Sequence, residues 1–255
     1  MSEDPQTNGA SDTFISHLVE LRNRIIKASL AVIVVFLCLM PWAGHIYDVL
    51  AQPMMAALPA GSKMIATGVI TPFLIPVKVT LLVAFVVALP WVLYQAWAFV
   101  APGLYTHEKK LIAPLVISSS LLFMVGVGFC YFFVFGVVFS FVNNFAPASV
   151  SVAPDIDSYF SFVMTMFIAF GITFEVPIVV VVLVRMGLVT VEKLKEVRPY
   201  VIVGAFVIAA IVTPPDVMSQ LLLAVPICLL YEAGLWIAPI FARATRAPEE
   251  AEEGT

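Results

Sequence analysis

Charge is what this sequence has least of: 12% of its 255 residues are Asp, Glu, Lys or Arg, against about 25% in an ordinary soluble domain. A water-soluble globule is excluded, because 62% of the residues are hydrophobic, well above the usual share of roughly 45–50%. Disorder is excluded as well, since a mean hydropathy of +1.04 is the opposite of the low-hydrophobicity, high-charge signature of unfolded chains. Cysteines number three, Cys38, Cys130 and Cys228, each inside an apolar run. An odd count without loop cysteines argues against a disulfide framework, and each thiol is expected to act as a small buried hydrophobe. Three scattered histidines cannot build a zinc site, and His107-Glu108 is followed at position 111 by Leu111, not the histidine a zinc motif needs. No phosphate loop of the form GxxxxGK[ST] and no GxSxG elbow occurs, so neither nucleotide hydrolysis nor serine hydrolase chemistry is expected. The expectation is a non-enzyme without metal or cofactor and without a nucleic-acid partner.

What the chain has instead is apolar runs of membrane length. A span needs about 20 residues, and six candidates fit, over about 28–41, 72–99, 112–141, 159–184, 200–213 and 217–237. The expected fold class is an all-α integral membrane protein, a single six-helix domain over 14–237. A patternless tail (1–13) precedes it and an acidic tail (238–255) follows, with Glu249, Glu250, Glu252 and Glu253 near its end. From Thr13 to Ile26, Phe14, Leu18, Leu21 and Ile25 recur at helical spacing behind Asp12 or Thr13 as N-cap. That pattern predicts an amphipathic helix in the membrane interface, with His17, Glu20 and Arg24 on its polar face. Arg22, Arg24 and Lys27 before an apolar run resemble a signal peptide, but no cleavage site follows, so an uncleaved first span is expected.

Prolines punctuate the spans. Pro41 and Trp42 close the first, and 42–68 reads as an outer loop with Pro53, Pro59 and Gly61. Pro76 and Pro90 are expected to bend the second span, Pro177 the fourth and Pro226 the sixth, because each removes a donor and crowds the carbonyl four residues back. Trp91, Tyr94, Trp97 and Phe99 gather as an interfacial belt. Between Pro199 and the Thr213-Pro214-Pro215-Asp216 turn only about 13 residues remain, which at 1.5 Å each cover roughly 20 Å of about 30 Å of hydrocarbon. The fifth helix is therefore short, and the sixth is expected to be short as well, so that together they thin the bilayer or sit recessed in it. With the N-terminus in the cytoplasm, eleven of the thirteen basic residues fall inside, which predicts six spans with both termini cytoplasmic.

Glu175 is the most costly group. It lies ten residues before Arg185, about 15 Å from the helix end and too deep for a glutamate to snorkel. Two readings stand: a protonated acid bonded to a neighbouring helix, or a contact for a partner or substrate. Lys78 lies six residues after Pro72, close enough to the outer interface for its stem to return the ammonium there. Asp216 is placed to cap the sixth helix and Gln220 to face a partner one turn later, although capping alone explains the pair. Ser118-Ser119-Ser120 suits close helix packing. Glu20 and Glu108 border the membrane and, taken alone, look like solvated charges, with Arg24 at i+4 from Glu20. An ion-coupled small-solute transporter using Glu175 is the alternative function, though repeated halves framing a midplane site are not visible.

Several segments together resemble the TatC family of the twin-arginine protein translocase: His17-Leu18-Val19-Glu20-Leu21-Arg22, Trp97 to Tyr105 running on to Glu108, Phe174-Glu175-Val176-Pro177, Arg198-Pro199-Tyr200 and Thr213-Pro214-Pro215-Asp216. Where many relatives carry a carboxylate after the proline opening the second span, this chain has Phe73-Leu74, so no acidic role carries over there. The resemblance implies a receptor for the paired arginines of signal peptides on folded cargo, in the bacterial cytoplasmic membrane, driven by the proton-motive force. It implies signal binding at Glu20, Glu108, Phe99 and Arg22. It also implies a concave, partner-facing intramembrane site at Glu175, Thr213, Gln220, Asp216 and Pro53, engaging single-span TatA- and TatB-type subunits within a self-associating, lipid-embedded complex.

Overall fold

A computed structural model describes residues 5–58, 63–100, 112–145, 153–213 and 216–246, with side chains described from 15 to 240 within those ranges except at 143. Among the described residues, nine α-helices account for nearly all of the structure. They are α1 (Pro5–Leu39), α2 (Ala43–Ala57), α3 (Thr71–Val100), α4 (Ile112–Phe129), α5 (Phe135–Phe145), α6 (Ile156–Arg185), α7 (Val191–Glu196), α8 (Arg198–Val212) and α9 (Val217–Arg246). A 3₁₀ turn, Met40–Trp42, joins α1 to α2, and a π-helical turn, Cys130–Val134, joins α4 to α5.

Five stretches among the described residues are long and apolar enough to cross a membrane: 15–57, 71–100, 112–142, 156–185 and 217–240. The remaining expected span, the fifth, is α8, whose 15 residues leave it short. At 1.5 Å per residue it covers roughly 22 Å.

The structure departs from expectation in four places. The amphipathic helix of 13–26 is not a separate interfacial element: α1 starts at Pro5, inside the expected tail, and continues unbroken into the first span, because no proline or glycine interrupts residues 10–40. The outer loop of 42–68 is largely helix, since Pro53 sits inside α2 without ending it. The sixth helix is not short, as α9 runs through both Pro226 and Pro239 for 30 residues. Cys38 is exposed where a buried thiol was expected, because the outer face of a span is as apolar as its core.

The interior lies among α3, α4–α5, α6 and α9, where Ile75, Leu89, Phe135, Phe160, Phe170 and Leu223 are sealed. Glycine permits the closest approaches. A Cβ at Gly126 on α4 would lie 2.6 Å from the Phe170 carbonyl oxygen of α6, and one at Gly171 would meet the Phe123 ring at 2.2 Å. The Cβ of a residue at 234 on α9 would sit 3.1 Å from Pro177 Cα. Small residues let backbones pack where the bilayer supplies no hydrophobic drive between helices.

Two tyrosines tie α2 to this core. Pro53 cannot donate to the Val49 carbonyl, and the Tyr131 hydroxyl donates to it instead at 2.8 Å. Tyr159 donates to the Leu50 carbonyl at 2.7 Å. The π-turn that carries Tyr131 is invisible to apolar periodicity, which is why the sequence reads there as an uninterrupted span.

Candidate functional site

Two polar regions emerge, one at the end of the bundle bearing most of the basic residues and one inside the helices. At the basic end, His17 on α1 stacks on Phe99 at the end of α3, with ring centroids 4.3 Å apart and planes 21° from parallel. One turn further along α1, Glu20 accepts from Arg24, whose Nε lies 2.9 Å from Oε1. Ser16, Val19, Glu20, Asn23, Arg24 and Lys27 line a groove of about 380 Å³. Glu20 and Phe99, predicted from separate segments, are thus brought to one place by the packing of α1 along α3. Arg22 is not: it is exposed two residues from Glu20 and its guanidinium donates to Asn23 at 3.3 Å. Glu108 lies outside the described residues. His17 is the group that sequence reasoning placed on the right face without foreseeing its ring partner.

Inside the bundle, both carboxylate oxygens of Glu175 are buried without a hydrogen-bond partner. Ser119 on α4 faces the carboxyl without closing a well-formed bond, and its Oγ accepts from Trp97 Nε1 at 3.1 Å. Trp97 therefore points inward, while its belt companions Trp91 and Tyr94 face out, their centroids 5.5 Å apart. Ser118 and Ser120 return their hydroxyls to backbone carbonyls of α4, so only the middle serine serves the interior.

The remaining predicted residues are satisfied locally. Thr213 is buried, its hydroxyl donating to the Ala209 carbonyl at 2.8 Å. Asp216 caps α9 by accepting from the Ser219 amide at 2.7 Å. Gln220 reaches across to the Phe206 carbonyl of α8 at 3.3 Å. Pro53 serves the α2 anchorage described above. Thr213, Asp216 and Gln220 gather at the junction of α8 and α9, while Glu175 lies on α6 and Pro53 in α2.

Three further pairs hold the ends. Lys78 on α3 pairs with Asp157 in the first turn of α6, ammonium to carboxylate at 3.1 Å. Asp155 caps α6 at Ser158 and also accepts from Thr67, next to a parallel bridge between Ile65 and Asp155. The Ser158 amide first, then the Thr67 hydroxyl, hold the Asp155 carboxyl below its ordinary pKa. Arg198, at the start of α8, binds Glu232 of α9 at 2.7 Å, and Tyr231 donates to the Leu194 carbonyl of α7 at 2.8 Å. Glu232 escaped sequence reasoning, although its place in an apolar run was the available signal. Among the described residues no group of three His, Cys, Asp or Glu side chains could hold a metal ion.

Several long apolar helices, with charge pairs at their ends and one buried acid among them, define a multi-pass α-helical membrane protein. The model of the Sec-independent protein translocase protein (TatC) family matches residues 16–226. The chain is 51% identical to the Sec-independent protein translocase protein TatC of Halothiobacillus neapolitanus, covering 99% of this chain and 72% of that protein. It is 50% identical to the TatC of Escherichia coli K12, covering 92% of each. A crystal structure described as the twin arginine translocase receptor TatC superposes with a TM-score of 0.79 at 39% identity, covering 89% of this chain and 100% of that one. The chain belongs to the TatC family, whose members are named for protein translocation and not for catalysis.

Proposed function

We propose that this chain is the signal-receptor and scaffold subunit of a twin-arginine translocase in the bacterial cytoplasmic membrane, with six spans and both termini in the cytoplasm. The single observation that carries this reading is the place of Glu20 on α1 one turn from the His17–Phe99 stack at the basic end. It offers an acid beside a flat aromatic surface, supplied by two helices.

A guanidinium presents a planar fork that a carboxylate accepts through two bonds, whereas lysine offers one compact ammonium. Two acids acting together, Glu20 and Glu108, therefore favour Arg-Arg over Lys-Lys. Exposed pairs contribute only about 0–1 kcal/mol each, so the apolar part of the signal gains the rest along the spans. Arg22 acts as a flanking cation rather than a direct ligand, given its outward direction.

In the same reading Glu175 is the contact for TatA- and TatB-type helices, because a buried acid lacking partners is stabilised by a polar group brought by another span. The short α8, with Thr213, Gln220 and Asp216 at its outer end, borders that contact and thins the bilayer for passage of folded cargo. Pro53 supports it by fixing α2. The energy is the proton-motive force, consistent with a chain lacking a phosphate loop. The family likeness favours this over the coupled solute transporter.

Photoreactive residues at positions 20 and 108 test the reading directly. They are expected to capture a twin-arginine precursor and not its Lys-Lys version. Export that is untouched by Glu20→Ala with Glu108→Ala overturns it. For the second site, Glu175→Gln is expected to leave signal binding intact while reducing recovery of TatA- and TatB-type subunits in a mild-detergent pull-down.

A further inference from the structure

We propose that Arg24 is a built-in competitor for Glu20: its guanidinium occupies the carboxylate that a visiting signal arginine takes, so Arg24 sets how tightly the empty receptor holds its signal. The inference rests on the reading of Glu20 as a recognition acid. Arg24 lies one turn after Glu20 on α1, and its Nε and Nη2 both donate to Glu20 Oε1, the first at 2.9 Å. This is the guanidinium–carboxylate contact that the reading assigns to the incoming side chain, made in advance by the protein itself.

The pair is closed but not sealed. Arg24 keeps 24% and Glu20 36% of their side-chain exposure, and an i,i+4 pair this open exchanges partners readily because its net strength is small. Ser16, Val19, Asn23 and Lys27 complete the groove around it, so an arginine entering there reaches Glu20 beside Arg24 and against the repulsion of two cations. Its bond to Glu20 replaces the internal one. The released Arg24 then turns along α1 towards water, since Glu20 is the one acid among the described residues that line the groove. Arg24 is thus a positioning residue that acts through Glu20 and weakens binding in the wild-type chain.

The test uses the full chain in lipid nanodiscs and a labelled synthetic peptide carrying an Arg-Arg pair before an apolar stretch. Arg24→Gln keeps length and hydrogen bonding but removes the charge, and is expected to tighten the peptide Kd by about two- to fivefold, the fold-change of a surface ion pair. Arg24→Lys, with a single ammonium, is expected between the two. In a Glu20→Gln background Arg24→Gln is expected to change nothing, because the shared acid is gone. Tighter binding is an outcome that a merely damaged helix does not produce. If Glu20→Gln abolishes binding while Arg24→Gln leaves it unchanged or weaker, Arg24 is no competitor and the inference fails with the recognition reading intact. If Glu20→Gln leaves binding intact, the recognition reading of Glu20 fails and takes this inference with it.

Discussion

Tyr131 donates its hydroxyl to the Val49 carbonyl, 2.8 Å away, and that carbonyl is the one Pro53 leaves without a helical donor. A proline in α2 and a tyrosine on the π-turn are therefore two halves of one arrangement, in which the broken backbone bond becomes a tie between elements. The Tyr159 hydroxyl on the Leu50 carbonyl doubles it from α6.

Tyr131→Phe is accordingly expected to lower the unfolding stability of the detergent-solubilised chain by about 0.5–1.5 kcal/mol, the net worth of one hydrogen bond. Pro53→Ala restores an amide donor to Val49, so the same tyrosine change has less than half that effect in the Pro53→Ala background. Equal effects in both backgrounds, read from unfolding midpoints, contradict the compensation.

The contact between α4 and α6 is expected to tolerate no added methyl at Gly126. A Cβ there falls 2.6 Å from a backbone oxygen that cannot step aside, and Gly126→Ala is expected to destabilise by about 1–3 kcal/mol, as overpacking does. At Gly171 the obstacle is the Phe123 ring, so Phe123→Leu is expected to relieve Gly171→Ala but not Gly126→Ala. Thermal unfolding of the single and paired variants decides it.

Asp155 predicts a dependence on acidity. Its folded-state pKa is lowered, chiefly by the Ser158 amide and then by Thr67. A lowered folded value means that the contribution is present above the ordinary carboxylate pKa and is lost as pH falls through the lower, folded one. Asp155→Asn is expected to be less stable than the wild type at neutral pH, with the gap narrowing in acid. A gap that stays constant or widens on acidification contradicts the cap.

Arg198 and Glu232 hold the base of α8 against α9 at 2.7 Å. Both side chains are about two-fifths exposed, so Glu232→Gln is expected to cost no more than about 1 kcal/mol globally. Its larger effect is local: amide hydrogen exchange in the first turns of α8 is expected to rise. The swapped pair Arg198→Glu with Glu232→Arg is expected to restore protection, and failure of both exchange effects removes the pair as an anchor.

Apolar run length was sufficient to locate the candidate spans and to identify α8 as short, because hydrocarbon thickness acts on a whole segment at once, but it did not give α9 its full length. The ends were less legible. Nothing in residues 13–26 states whether an amphipathic helix bends away from the following span, and here it does not. Pro226 was read as a break although a neighbouring helix can support the freed backbone, as α9 demonstrates. The i,i+4 pairing of Glu20 and Arg24 and the capping by Asp216 were legible because both are local. The His17–Phe99 stack, the Trp97–Ser119 bond and the Arg198–Glu232 pair join residues far apart in the chain, and no spacing rule reaches across such distances.

The wide turn at Cys130–Val134 carries one residue more than a regular helix would use over the same rise. Removing a single amino acid within it would give an ordinary helix and leave everything downstream in its present register, because the extra residue is what the wide turn absorbs. Phe135 and Phe139 would stay sealed in the interior. A length change here is therefore a test of the absorbed residue: one deletion within the turn leaves the outer half of this hairpin facing as it does now, and puts at risk only what the turn itself carries, the hold of Tyr131 on α2.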